Sequence, residues 1–294
     1  MSTEAADPRH ADLATRPLSE AAAAMWAGQR TAVGAVEGQL PAIAAAAQAA
    51  AERLRGGGRL AYAGAGTSGR LAVQDGVELI PTFGWPPERL IYFLAGGTAA
   101  LTDAVEGAED DAAAARGAVT EQGLGPTDVL IALAASGRTP FTCAAVETAR
   151  AAGALTIAFA NNPGTRLLAG AEHAILLDTG AEVIAGSTRM GAGTAQRAAL
   201  TVLSSAIMIA LGRVHQGRMV AMRATNAKLQ ARAAAMVTEL AGVGEAEARA
   251  ALQVSGHDIP VAVLVARGIA ADDARARLAR HGGALGPALG EMGE

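Results

Sequence analysis

The sequence predicts an α/β protein: a parallel sheet with helices on both faces, a three-layer αβα sandwich, followed by a small helical subdomain. Three observations carry this. Short apolar runs alternate with helical patterns from Leu60 to Leu177. The first run leads directly into Gly64-Ala65-Gly66-Thr67-Ser68-Gly69, a tight turn of the kind that joins a buried strand to a helix. Past Gly242 the pattern breaks into short helical units separated by Gly, His and Pro. The expected organisation is an N-terminal arm and helices over 1–55, a sheet domain over 56–240 and a helical subdomain over 241–294.

Taken in order, residues 1–16 are polar and read as an extended arm. Leu18 to Arg55 reads as two alanine-rich helices broken by Pro41. Strands are expected at Leu60–Ala63, Leu90–Leu94, Val129–Ala134, Leu155–Ala160 and Ala174–Leu177. Helices are expected at Leu71–Ile80, Ala99–Gln122, Phe141–Ala152 and, briefly, Arg166–Ala169. Met190 to Ala235 gives two long helical patterns split near Gly212–Gly217, long enough to cover the sheet and to form an oligomer interface. The subdomain contributes Glu245–Val254, Ile259–Ala266 and Ala271–Arg280. His257 and His281 there have no ligand-like partners and read as surface or capping residues.

Composition narrows the function. With 51% hydrophobic residues in 294, the chain can bury one large core or a core plus an appendage. A net charge of -4 argues against a nucleic-acid surface. The single cysteine, Cys143, lies in an apolar helical stretch and reads as a small buried hydrophobe. It excludes an intramolecular disulfide and disfavours a cysteine metal site. Arg or Glu interrupts every apolar run, so no membrane span is expected, and no secretory signal opens the sequence. A cytoplasmic protein is expected.

Chemistry concentrates in the loops at the carboxyl ends of the strands, where parallel sheets bind ligands. The glycine turn aims backbone N–H groups and a helix N-terminus at one point, which suits a phosphate, and Thr67 and Ser68 add hydroxyls. Gly64, Gly66 and Gly69 also spell the dinucleotide fingerprint. The acidic residue expected about 20 positions on is missing, because Leu90–Ala95 runs into Gly96-Gly97-Thr98. No Gly-Lys-Ser/Thr follows, which excludes a Walker loop. Further hydroxyls follow the third strand, at Ser136, Gly137 and Thr139, and the fifth, at Glu182 and Gly186-Ser187-Thr188. One Ser/Thr turn is an ordinary helix cap; three at one sheet edge point to a phosphorylated ligand.

These loops resemble a sugar-isomerase (SIS) domain, a flavodoxin-like sandwich whose Ser/Thr loops hold a sugar phosphate. More narrowly, AGAGTSGRL, DGVELIPTFG, LAGG, AVEGAEDD, SGRTPF, GAEVIAGSTRMGAGTAQ and ATNAKL resemble, in this order, the bacterial N-acetylmuramic acid 6-phosphate etherases. The resemblance covers nearly the whole chain. It implies cleavage of the ether joining D-lactate to the sugar, giving N-acetylglucosamine 6-phosphate during cell-wall recycling. A proton leaves the carbon beside the open-chain aldehyde, lactate is expelled, and water adds. One base and one acid suffice, with no metal and no cofactor. The family's two glutamates fall on Glu78 and Glu109, and the acidic neighbours Glu106, Asp110 and Asp111 are of a kind that raises a carboxylate pKa. Asp110 and Asp111 also fit a plain solvated helix face. The phosphate set implied is Thr67, Ser68, Gly69, Ser136, Gly137, Thr139, Ser187 and Thr188, with Glu182 beside it. The resemblance and the long helices together imply a homodimer.

The sequence departs from the family at several places. The family reads Asp-Ala-Ser-Glu-Cys-Pro-Pro-Thr where this chain has Asp75-Gly76-Val77-Glu78-Leu79-Ile80-Pro81-Thr82. Gly191 stands at a usual lysine, Gln216-Gly217-Arg218-Met219-Val220-Ala221 stands where the family reads Gly-Asn-Leu-Met-Val-Asp, and Asp7 replaces Asn before Pro8. Two other readings share the scaffold. An aldose–ketose isomerase would need a single base, for which Glu182 is placed. A sugar-phosphate sensor would keep the loops and lose the acids, which Glu78 and Glu109 argue against.

Overall fold

The computed structural model describes residues 2–291. The outermost ends of the expected arm and subdomain, residue 1 and residues 292–294, lie outside the described residues. The chain divides into two compact units: residues up to Gly76 with Glu88–Ser204, and Val77–Pro87 with the residues from Ser205 on.

The first unit holds a five-stranded parallel sheet, β1 Leu60–Gly64, β2 Leu90–Leu94, β3 Val129–Leu133, β4 Leu155–Ala160 and β5 His173–Leu176. Its order is β2-β1-β3-β4-β5, with Leu60 in register with Leu90 on one side and Val129 on the other. β1, β3 and β4 are buried along their whole length, as expected for apolar runs in the middle of a parallel sheet. The period of two sorts their side chains by size. Ala61, Ala63, Leu130, Ala132 and Ala158 face the core packed under α4 (Ala112–Gln122) and α5 (Pro140–Ala151). The opposite face carries Tyr62, Ile131, Ile157 and Phe159, all buried, on the side where α2 (Leu40–Arg55) packs against β3, β4 and β5.

Helix α1 spans Leu18–Gly34, and the break before α2 falls at 35–39 instead of at Pro41. Pro41 sits in the first turn of α2, where its missing N–H has no intrahelical partner to lose. Helix α3 spans Gly66–Phe83, so the Thr-Ser turn is already its first turn. The short α6 covers Arg166–Gly170.

Two expectations fail in this unit. The long helix over Ala99–Gln122 is absent. Gly97–Leu101 and Ala108–Asp110 are single 3-10 turns, and α4 begins at Ala112, capped by the Asp111 carboxylate on the Ala114 N–H. Gly107, with a positive φ of 72°, ends any continuous helix there. The N-terminal arm is not extended. It forms 3-10 turns at Pro8–His10 and Leu13–Thr15, and Thr3 is fully buried against Asn162. The Asp7 carboxylate caps the first turn, and the hydrogen bonds from Arg9 pull its pKa down to about 2.

Helix α7 runs Gly191–Ala210. The second helix of the expected pair is α8, Ala227–Ala241, so the interruption is longer than the Gly212–Gly217 break. In the second unit α8, α9 (Glu245–Ser255), α10 (Ile259–Ala266), α11 (Ala271–Arg280) and α12 (Leu285–Gly290) close around a core of Val237, Leu252, Val263 and Leu285. His257 is exposed at a positive φ of 67°, and His281 bonds Glu291. Among the described residues no helix is long and apolar enough to cross a membrane.

Candidate functional site

The strand order 2-1-3 reverses direction between β1 and β3, and open α/β sheets bind ligands in the crevice at such a point. A cavity of about 430 Å³ lies there. Its walls include Thr67 and Ser68 after β1, Ser136, Arg138 and Thr139 after β3, and Thr188 ahead of α7. Glu109 and Asp110 from the 3-10 turn and Glu4 from the arm complete them.

The glycines explain how the turn reaches this place. Gly66 has a φ of +52°, a left-handed conformation that L side chains rarely adopt. Gly64 and Gly69 are in near contact: a Cβ on Gly64 would lie 2.8 Å from the Gly69 Cα and N. The end of β1 and the start of α3 are therefore packed backbone to backbone. The N–H groups of Gly66, Thr67 and Ser68 open the helix with no intrahelical acceptor, at the positive end of its dipole, and all three residues line the cavity. Helix α5 opens in the same way behind Thr139, with Pro140 in its first turn.

Beneath the turn, the Ser68 hydroxyl donates to Gln196 Oε1 at 2.8 Å. Gln196 Nε2 donates to Asn161 Oδ1 at 2.9 Å, and Asn161 Nδ2 donates to the Leu177 carbonyl at 3.0 Å. Arg138 donates its backbone N–H to Ser136 Oγ, and its side chain is exposed at the cavity. Arg70 donates to the carbonyls of Ala100 and Asp103, tying α3 to the segment that leads into Glu109.

The structure thus gathers Thr67, Ser68, Ser136, Thr139, Thr188 and Glu109 at one cavity. The remaining expected residues stand elsewhere. Gly69 and Gly137 shape backbone; a Cβ on Gly137 would run into the Thr165 side chain. Ser187 is outside the cavity lining and accepts the Met190 N–H through its carbonyl. Glu78 is exposed on the part of α3 that belongs to the second unit and is not a lining residue. Glu182 is buried, and its two oxygens accept the N–H groups of Gly191 and Ala192 at 2.8 Å each. It caps α7 and neutralises the end of its dipole.

Sequence reading passed over Arg138, Glu4, Gln196 and Asn161. Arg138 stood within the Ser136–Thr139 loop and was legible as a phosphate-range cation; the arm's return to the site was not, since nothing local announces it. One departure finds an explanation. A Cβ on Gly76 would come 2.7 Å from Tyr92 Oη, so two tyrosines take the room of a larger residue. Tyr62 and Tyr92 stack at 6.0 Å, and Tyr62 donates to the buried Asp75, which also accepts from Ser204. Burial, and then the Asp75 charge, push both phenols well above their usual range. Burial likewise raises the Cys143 thiol, in keeping with a packing role.

A flavodoxin-like sheet with hydroxyl-bearing turns and two open helix ends at its switch point defines a sugar-phosphate-binding domain of the SIS class. Family models agree: the N-terminal SIS domain of the glucokinase regulatory protein matches residues 42–150, and the SIS domain matches residues 113–206. The chain belongs to the N-acetylmuramic acid 6-phosphate etherase family. It is 49% identical over 290 residues to the etherase of Deinococcus radiodurans, covering 98% of this chain and 95% of the relative. It is 43% identical over 290 residues to that of Rubrobacter xylanophilus, covering 98% and 96%. A solved phosphoheptose isomerase from Francisella tularensis is 22% identical with a TM-score of 0.48, covering 66% of this chain and 97% of the other.

Proposed function

We propose that this protein cleaves the D-lactyl ether of N-acetylmuramic acid 6-phosphate, giving N-acetylglucosamine 6-phosphate and D-lactate. The observation that carries the reading is the meeting of a phosphate cradle and a carboxylate, Glu109, in one cavity of a chain with this family membership. The phosphate takes the N–H groups opening α3 and α5, the hydroxyls of Thr67, Ser136, Thr139 and Thr188, and the Arg138 guanidinium.

Glu109 removes the C2 proton beside the aldehyde of the open-chain sugar. The C–H electrons form the C2=C3 bond, and the C3–O bond breaks toward the lactyl oxygen. The family resemblance assigns protonation of that oxygen to Glu78, which does not itself line this cavity. Water then adds across the double bond, its hydroxyl at C3 and a proton at C2, and both glutamates return to their starting states. The isomerase alternative loses its base, because the Glu182 carboxylate is occupied by two backbone N–H groups.

The proposal includes a cytoplasmic homodimer. Leu18, Trp26 and Val33 are exposed on α1 within about 80° of arc, and Val202 is exposed on α7, leaving apolar surface for a second copy.

The test is incubation with N-acetylmuramic acid 6-phosphate and measurement of D-lactate. Glu78→Gln is expected to block lactate release while still exchanging the C2 proton with heavy water. Glu109→Gln is expected to lose both, each by about 100-fold or more. Parent-like lactate release by both variants would remove the two glutamates from catalysis.

A further inference from the structure

The chain Ser68–Gln196–Asn161–Leu177 has a direction that chemistry fixes from one end. A backbone carbonyl only accepts, so the Asn161 amide must turn its nitrogen to Leu177, 3.0 Å away. Its oxygen then faces Gln196 at 2.9 Å, which obliges Gln196 to present nitrogen. The Gln196 oxygen is left facing Ser68 at 2.8 Å, and Ser68 must donate. Flipping either amide would set two oxygens against each other at these distances. Gln196 and Asn161 are fully buried and Ser68 nearly so, which removes water as a substitute partner.

A serine hydroxyl has one proton. We infer that Gln196 is a positioning residue that holds the Ser68 proton inward, so that Ser68 meets the ligand as an acceptor, taking a hydrogen bond from a hydroxyl of the sugar phosphate instead of giving one to the phosphate. The inference rests on the cavity being the phosphate site. It assigns phosphate affinity to the N–H groups and the other hydroxyls, and gives Ser68 a part in recognising the sugar.

The experiment uses the full chain at about pH 8, where a phosphate monoester is dianionic, its second pKa being about 6. Inorganic phosphate is the competitive probe against substrate turnover. In Ser68→Ala the inhibition constant for phosphate is expected to stay within about twofold of the parent, while KM for the sugar phosphate rises about five- to tenfold. In Gln196→Met the freed hydroxyl turns outward, and phosphate inhibition is expected to strengthen by about threefold or more. Structural damage would not tighten binding. Weakening of phosphate inhibition by tenfold in Ser68→Ala would overturn the inference, since the hydroxyl would then be a phosphate donor.

Thermal unfolding without ligand supplies the second readout. The two substitutions are expected to couple, the double variant losing less Tm than the sum of the singles. Additive losses would sink the inference whatever phosphate does. Coupling together with a parent that phosphate does not inhibit would keep the inward hydrogen bond, overturn the ligand role drawn from it, and remove the phosphate-site reading itself.

Discussion

Gly64→Ala is the sharpest test of how the glycine turn works. The added Cβ would lie 2.8 Å from both the Cα and the N of Gly69, and 3.1 Å from the Ser68 carbonyl carbon. Carbon atoms in contact settle at about 3.5–4.0 Å, so the turn must retreat from β1 by about 0.7 Å or more. These neighbours are backbone, so no side chain can swing away instead. Overpacking of this kind costs about 1–3 kcal/mol, and each kcal/mol lowers Tm by about 2–4 °C in a domain of this size. The N–H groups of Gly66, Thr67 and Ser68 move with the turn. Because misplacement near 1 Å can cost about 100-fold, KM for the sugar phosphate is expected to rise at least tenfold. Gly117→Ala is the control. Gly117 lies within α4 with nothing within 4 Å of its would-be Cβ, so alanine there is expected to stabilise by about 0.5–1 kcal/mol with unchanged kinetics. Calorimetry and lactate release measure both. A Gly64→Ala protein with parental Tm and KM would refute the backbone-contact account.

Further outcomes follow from the same contacts. Tyr62 and Tyr92 are the only 2 tyrosines, and both phenols are raised. Their contribution to stability is whole below the unfolded value near 10 and declines as pH rises above it. Tyrosinate absorbance should therefore appear only together with unfolding; a reversible native titration at pH 10 would contradict the burial. Asp7 and Asp128 act in the opposite direction. Burial raises Asp128, but the hydrogen bonds from Arg59 and the Gly125 N–H outweigh it, and Asp7 lies near 2. The stability they supply is present above the unfolded value near 3.9 and is lost as pH falls below it, which acid titration of Tm would register. Arg70→Met should loosen the segment leading to Glu109, lowering kcat while phosphate inhibition stays parental. Glu182→Gln should cost about 1 kcal/mol as a weakened cap and keep most activity; a loss of 100-fold would restore Glu182 as a base.

Much of this was legible because it is periodic. The buried runs of β1, β3 and β4 gave the sheet, and the helical units past Gly242 gave α9, α10 and α11. The glycine turn marked the ligand end because Gly66 needs a left-handed backbone, a demand visible in one residue type. What failed was long-range or depended on single glycines. Residues 99–122 have the composition of a helix, yet Gly107 splits them, which lifts Glu109 off a helix face and into the cavity wall. The arm read as extended because its tie to Asn162 joins residues 159 apart in sequence. Glu182 offered a base to the isomerase alternative because sequence shows a carboxylate near the loops, and not the two N–H groups that occupy it.

That last point also bears on the proposed phosphate position. Three hydroxyl loops precede three helices, α3, α5 and α7, and by composition any of them offers a phosphate the same positive end. Glu182 closes the third. The two open ends contribute about half a charge each, and Arg138 adds one more, so the positive charge converging on the cavity is about that of a phosphate dianion. Carboxylates reach the same cavity from other segments, Glu109 and Asp110 from the 3-10 turn and Glu4 from the arm. Beside a dianion they would repel; in the proposed reading they face the neutral sugar, accepting hydroxyls and, at Glu109, a carbon-bound proton. In the proposed reading the anion therefore draws its positive charge from the α3 and α5 ends, Thr188 contributes a hydroxyl but no free helix end, and the sugar meets the acids.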